Sequence, residues 1–201
     1  MATDRMTSPT AIVLTTLGLV ASLSLFVGID PAGATVASCL GRPATIVSDD
    51  ERIEGTDGSD VIVGLASQNI IDGLAGDDLI CGNGGVDIIN GGAGDDRMDG
   101  GIGSDFITGE DGNDRLFGRL GDDTLNFGDS ENGNDLVVGG WGADDLHAGV
   151  GADWLFGGPG ADRLAEGEVD APIVDLFAGG LGLDTCGPGA EDVVFSCELP
   201  I

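Results

Sequence analysis

Apolar side chains return at every ninth residue through the first half of this chain, at Ile62, Ile71, Ile80, Ile89, Met98, Ile107, Leu116 and Leu125. Two residues before all but one of them stands an aspartate, and two before that a glycine. The nonapeptides begin at Gly55, Gly64, Gly73, Gly82, Gly91, Gly100, Gly109 and Gly118; the second is degenerate, with Ser67 and Asn69 where glycine and aspartate belong. Phe127 to Asn132 adds three residues, and the phase resumes at Gly133, Gly142, Gly151 and Gly160, with Val137, Leu146, Leu155 and Leu164 as the apolar positions. A longer insertion, Glu166 to Ala178, precedes a last unit, Gly179 to Asp184. The first six positions of each repeat carry turn chemistry. The last three predict a short strand whose middle side chain points inward while its neighbours point out. One inward side chain per repeat cannot make a core unless two strands face each other. The predicted unit is therefore a flat coil of two repeats, and successive coils stack into an all-β, two-sheet solenoid.

Stacking sorts the aspartates into rows. Residues two repeats apart lie on adjacent coils, about 4.8 Å apart. Asp60, Asp78, Asp96 and Asp114 form one column, and Asp87, Asp105 and Asp123 the other; Asp135, Asp144, Asp153, Asp162 and Asp184 hold the same position later in the chain. Two carboxylates at that spacing repel by about 1 kcal/mol in water and about 3–4 kcal/mol at an effective dielectric of 20. Such columns disfavour the coil unless a cation sits among them. The composition points the same way: 36 acidic residues stand against 7 basic ones, for a formal charge of −29, with 38 glycines and 4% aromatics. So acidic a chain is not expected to bind nucleic acid or an anionic membrane surface. Carboxylate and carbonyl oxygens in Gly-rich turns suit Ca2+ better than Mg2+, which demands tight octahedral geometry, and one His offers little to soft metals. The metal-free alternative, aspartates that only shape turns, does not explain a preference for Asp over Asn against that repulsion.

The repeats follow the nonapeptide GGxGxDxUx, closely at Asn90 to Asp96 and at Gly157 to Leu164. In these residues the chain resembles the RTX, or haemolysin-type, calcium-binding repeat proteins, over about Gly55 to Leu164 and the unit at Gly179. The resemblance implies a parallel β-roll with several Ca2+ ions held between turns by the sixth-position Asp and main-chain carbonyls. Carried over, it assigns Asp60/Asp78, Asp78/Asp96, Asp96/Asp114, Asp87/Asp105, Asp105/Asp123, Asp135/Asp153 and Asp144/Asp162 as bridging pairs. Asn69 is expected to weaken its own pairing, and the columns are expected to fail at 127–132 and at 166–178.

Outside the repeats, Arg5 followed by the apolar run Ala11 to Gly28 and by Ala32-Gly33-Ala34 reads as a secretory signal peptide cleaved after Ala34. An uncleaved anchor and a lipobox at Val36 to Cys39 are the alternatives. Residues 35–54 form an N-terminal cap, 55–126 a first array, 127–165 a second array after the short insertion, and 166–201 the longer insertion, last unit and C-terminal cap. Export makes disulfides reasonable. Cys39, Cys81, Cys186 and Cys197 allow three pairings; the nearest-neighbour choice, Cys39–Cys81 and Cys186–Cys197, would staple a cap to each end.

No catalytic motif is present: there is no HExxH, no GxSxG and no phosphate loop ending in Lys. The acid pairs Asp77-Asp78, Asp95-Asp96, Asp122-Asp123 and Asp144-Asp145 recur with the repeat, and His147 falls at an outward position. Many RTX proteins join their repeats to a protease, lipase or pore-forming domain, and none is legible here. The reading is a secreted, non-enzymatic calcium-binding β-roll without membrane insertion. A calcium-dependent adhesin or surface protein with an extracellular partner, contacted through Trp141, Trp154, Phe106 and Phe117, is the alternative.

Overall fold

A computed structural model describes residues 28–29, 35–65, 67–126, 133–165, 176–187 and 193–197, and these contain strands and turns but no helix. The signal-peptide reading falls largely outside the described residues. Gly28–Ile29 pairs antiparallel with Thr35–Val36, across the predicted cleavage point.

Two sheets face each other, one of nine strands and one of eight, and the chain alternates between them. Within each sheet every neighbour is parallel, with Met98 opposite Ile80 and Leu116, and Ile89 opposite Ile71 and Ile107. The predicted two-repeat coil is therefore the stacking unit. The inward positions make one continuous core in which Ile62, Ile80, Ile89, Met98, Ile107 and Leu116 are fully buried. Burying each such side chain contributes about 1.5–3 kcal/mol. That core is one side chain thick on each sheet, so the fold depends on what happens in the turns at its two edges.

Three expectations need correction. Strands are longer than three residues in much of the array: Leu79–Gly84, Arg97–Ile102, Phe106–Asp111 and Arg115–Leu120 each run six. Pairing continues past the apolar triplet because the second position takes up a left-handed twist, as at Gly101 (φ 107°) and Arg119 (φ 84°), which stay paired with each other. The insertion at 127–132 breaks neither sheet. Leu116 pairs with Val137 and Leu125 with Leu146, so both ladders keep their inward file across it. Finally, the end of the 166–178 insertion is strand: Leu176–Leu181 pairs with Trp154–Pro159, and Val193–Phe195 adds the last strand beyond it.

Both disulfides are the nearest-neighbour pairs, Cys39–Cys81 and Cys186–Cys197. They do different things. Cys81 points out of the nine-strand sheet, and its partner Cys39 belongs to a short hairpin, Ser38–Cys39 with Arg42–Pro43. That hairpin covers Val61, Val63, Leu79 and Cys81 on the outside of the roll. Cys186 sits in the inward file opposite Leu164 and is itself buried, so its bond to Cys197 closes the far end of the core. Among the described residues no helix is long and apolar enough to cross a membrane.

Candidate metal centre

The sixth-position aspartates stand where strand begins, and each points along the stack rather than across it. In the first column the amide of Asp60 donates to Asp78 Oδ1 at 2.8 Å, Asp78 to Asp96 at 2.7 Å and Asp96 to Asp114 at 2.7 Å. The column then passes the insertion, from Asp114 to Asp135 at 2.7 Å and from Asp135 to Asp153 at 2.9 Å. In the second, Asp87 donates to Asp105 at 2.9 Å, Asp105 to Asp123 at 2.8 Å and Asp123 to Asp144 at 2.9 Å. Asp144 follows to Asp162 at 3.0 Å, and Asp162 to Asp184 at 3.1 Å. All seven pairs expected from the sequence are thus neighbours. Asp114/Asp135, Asp123/Asp144 and Asp162/Asp184 are neighbours as well, contrary to the expectation that the insertions break the columns. Asn69 also keeps its place: its amide donates to Asp87 Oδ1 at 2.7 Å and its side chain is buried.

In nine of these carboxylates one oxygen is therefore satisfied, and the other is not. Oδ2 of Asp78, Asp87, Asp96, Asp105, Asp114, Asp123, Asp144, Asp162 and Asp184 is buried with no hydrogen-bond partner. A buried acceptor left unpaired costs about 1–3 kcal/mol, more when charged. Nine of them in two rows is a deficit that ordinary packing does not produce.

The first-position glycines show what surrounds these oxygens. A Cβ placed on Gly82 would collide with Asp87 Oδ2 and lie 2.8 Å from the carbonyl oxygen of Gly100 on the next coil. On Gly91 it would collide with Asp96 Oδ2 and lie 2.8 Å from the Gly109 carbonyl. The same holds at Gly118, against Asp123 Oδ2 and the Gly139 carbonyl at 2.6 Å. Carboxylate and carbonyl oxygens thus converge beside a position that only glycine leaves open. Among the described residues no three His, Cys, Asp or Glu side chains gather into a site of side chains alone. Main-chain carbonyls are the other oxygens beside these carboxylates, and an all-oxygen set suits a hard cation.

Burial sets the electrostatics. Loss of solvent pushes the Asp114 carboxyl up to about 8. It pushes those of Asp96 and Asp123 up to about 7. Asp78, Asp87, Asp135 and Asp144 rise to about 6, and Asp105 and Asp162 also rise. The amide donated from the preceding coil opposes each rise but does not cancel it. Without a cation burial shifts these side chains toward the protonated form, and a divalent ion opposes that shift.

Asp60 is the exception. Its carboxylate already accepts from Thr45 Oγ1 at 3.0 Å, from the Thr56 amide at 2.9 Å and from Thr56 Oγ1 at 2.8 Å. Two threonines occupy the N-terminal end of the column, a feature no nonapeptide count reveals. Elsewhere, His147 lies on the outer face of the eight-strand sheet with Asp145 and Arg163, its Nε2 3.0 Å from both Asp145 Oδ1 and Arg163 Nη1. The cluster lies on the surface, in keeping with the outward position read from the sequence.

No curated protein and no solved structure matches this chain. A family model does, the RTX calcium-binding nonapeptide repeat (4 copies), at residues 47–80, 54–89, 79–107, 90–125, 99–132 and 138–165. Those segments cover more than half of the sequence, follow the ladders on both sides of the first insertion, and belong to repeats that bind multiple Ca2+ ions. The chain is a member of the RTX calcium-binding nonapeptide repeat family.

Proposed function

We propose that the protein is a secreted, non-enzymatic calcium binder whose roll forms when Ca2+ enters the aspartate columns. The observation that carries this reading is the double row of buried Oδ2 atoms without hydrogen-bond partners, with a main-chain carbonyl of the next coil beside those of Asp78, Asp87, Asp96, Asp123 and Asp162. The proposed ligands are Asp78, Asp87, Asp96, Asp105, Asp114, Asp123, Asp135, Asp144, Asp153, Asp162 and Asp184, with carbonyls of the first-position glycines. Asp60 serves as the column's end, held by Thr45 and Thr56. The ion's contribution is charge: it neutralises carboxylates that would otherwise repel across each coil step.

Folding would follow export. Extracellular calcium modules bind at about 10⁻⁴–10⁻³ M, a range that leaves the sites empty in a cytosol. A core one side chain thick and 38 glycines of backbone entropy favour the open chain until the ions arrive. The two disulfides fit an oxidising compartment, and RTX repeat proteins are typically extracellular. Far-ultraviolet circular dichroism of the chain from Thr35 onward tests the proposal. Coil in chelator and strand in millimolar Ca2+ is the expected result; strand content indifferent to chelator would contradict it.

A further inference from the structure

Asn69 is the member of the second column that carries no charge, yet it bears the same signature as the aspartates. It is 1% exposed, and its Oδ1 is buried with no hydrogen-bond partner. The orientation of the amide is fixed. Nδ2 donates to the Asp50 carbonyl at 2.9 Å, and turning the group over would set oxygen against oxygen there. A Cβ placed on Gly64 would collide with Asn69 Oδ1 and lie 3.4 Å from the carbonyl oxygen of Gly82 on the next coil. Gly82 stands in the same relation to Asp87 Oδ2 and the Gly100 carbonyl. Asn69 Oδ1 thus occupies in its coil the place that Oδ2 of Asp87, Asp105, Asp123, Asp144, Asp162 and Asp184 occupies in later ones.

We propose that Asn69 Oδ1 is itself a calcium ligand, and that with the Gly82 carbonyl and Asp87 it holds a further Ca2+ at the N-terminal end of the second column. The proposal rests on the calcium reading above and adds a site that the nonapeptide pattern discounts. The way the two columns end supports it. In the first, both oxygens of Asp60 accept from Thr45 or Thr56, so protein donors close the column. In the second no donor reaches Asn69 Oδ1, and a buried acceptor left unpaired is costly. One coil further out a donor does return: the Gly64 carbonyl accepts from Asn83 Nδ2 at 2.8 Å. The preceding coil also explains why the residue is an amide. Each later aspartate of this column accepts a backbone amide from the coil before it, so an asparagine there would spend its oxygen on that amide and turn Nδ2 toward the ion. At Asn69 the coil before presents a carbonyl instead. An amide satisfies it with Nδ2 and keeps an oxygen for the cation. Only Asp87 brings a charged side chain to this step, where the other steps bring two. Calcium affinity falls with the number of charged ligands, so this ion is the last to enter.

The test titrates the processed chain with Ca2+ and counts bound ions by native mass spectrometry, with strand content measured on the same samples. Asn69→Leu, close in shape but without the oxygen, should keep the strand signal and hold one ion fewer than the parent at saturation. Asn69→Asp should hold the same number as the parent. In the unmodified chain the side-chain carboxamide resonances of Asn69 should shift in the last step of the titration, after those of the column residues have settled. An ion gained by Asn69→Asp would show that the parent leaves this position empty and would overturn the proposal. So would an Asn69→Leu variant that keeps every ion, or Asn69 resonances that stay fixed through the last step. Should Asn69→Leu fail to fold, the Asn69→Asp count and the resonances of the unmodified chain decide. A parent that takes up no calcium overturns the calcium reading itself, and this site with it; the other adverse results overturn the site alone.

Discussion

Asp95 and Asp96 are neighbours in sequence and stand at opposite extremes of environment. Asp95 is exposed on the turn; its Oδ1 accepts from the Asn113 amide at 2.9 Å and from Asn113 Nδ2 at 3.0 Å, and this donation holds its carboxyl below the usual carboxylate range. Asp96 is buried, has one oxygen satisfied and one not, and is pushed up to about 7. Each belongs to a row. The outer row runs Asp77, Asp95, Asn113 and Asn134, each side chain accepting from the backbone amide one coil on, and it tolerates Asn or Asp alike. The inner row is aspartate at every place from Asp60 to Asp153. Hydrogen bonding alone therefore does not select the carboxylate. The row that keeps aspartate is the one in which Asp78, Asp96 and Asp114 each hold a buried oxygen without a hydrogen-bond partner.

That contrast can be broken in several ways. The largest effect is expected from Asp96→Asn with Asp114→Asn, which removes two adjacent inner carboxylates and keeps the shape. The calcium concentration for half-maximal strand formation should rise about tenfold or more, equivalent to about 1.4 kcal/mol or more, as followed by circular dichroism.

Acid should substitute in part for metal. The folded-state values of Asp78, Asp96 and Asp114 lie above the ordinary 3.8, at about 6, about 7 and about 8. Their contribution to stability is thus fully present below 3.8 and is lost as pH rises through 6 to 8. In chelator, strand content at pH 5 should exceed that at pH 8; in excess Ca2+ the two should converge. Identical strand content at both pH values in chelator would show that the inner row is not the obstacle to folding.

The glycines sharpen the comparison further. Gly91→Ala puts a methyl group where Asp96 Oδ2 and the Gly109 carbonyl converge, and should cost about 1–3 kcal/mol in calcium. Gly187→Ala meets nothing within 4 Å and should stay within about 0.5 kcal/mol. The smallest effect belongs to the outer row. Asp95→Ala gives up hydrogen bonds to Asn113 worth about 0.5–1.5 kcal/mol and should leave the calcium midpoint nearly unchanged.

Much of this was legible in the chain. A strict nine-residue period fixes which side chains face inward, which stack, and how many repeats make a coil, because parallel pairing repeats its register at every step. Counting fails where register and count part company. Phe127 to Asn132 shifts the numbering by three, yet Leu116 still finds Val137, because pairing follows the inward apolar residue and not the distance along the chain. Asn69 looks like a fault but keeps the column's geometry, since its backbone amide is what the next aspartate needs. The Thr45 and Thr56 contacts to Asp60 and the hairpin over Val61 and Val63 come from outside the repeat, where periodicity carries no information.

Ion counting tests the central claim most directly. Native mass spectrometry of the folded chain should find more than seven Ca2+ ions, since the columns run five Asp–Asp steps each, both past the first insertion and the second column past the longer one as well. Asp96→Asn should lower the count, and Asp95→Asn should leave it as it is. Equal losses from the two variants, or a loss from Asp95→Asn alone, would contradict the assignment of calcium to the buried row.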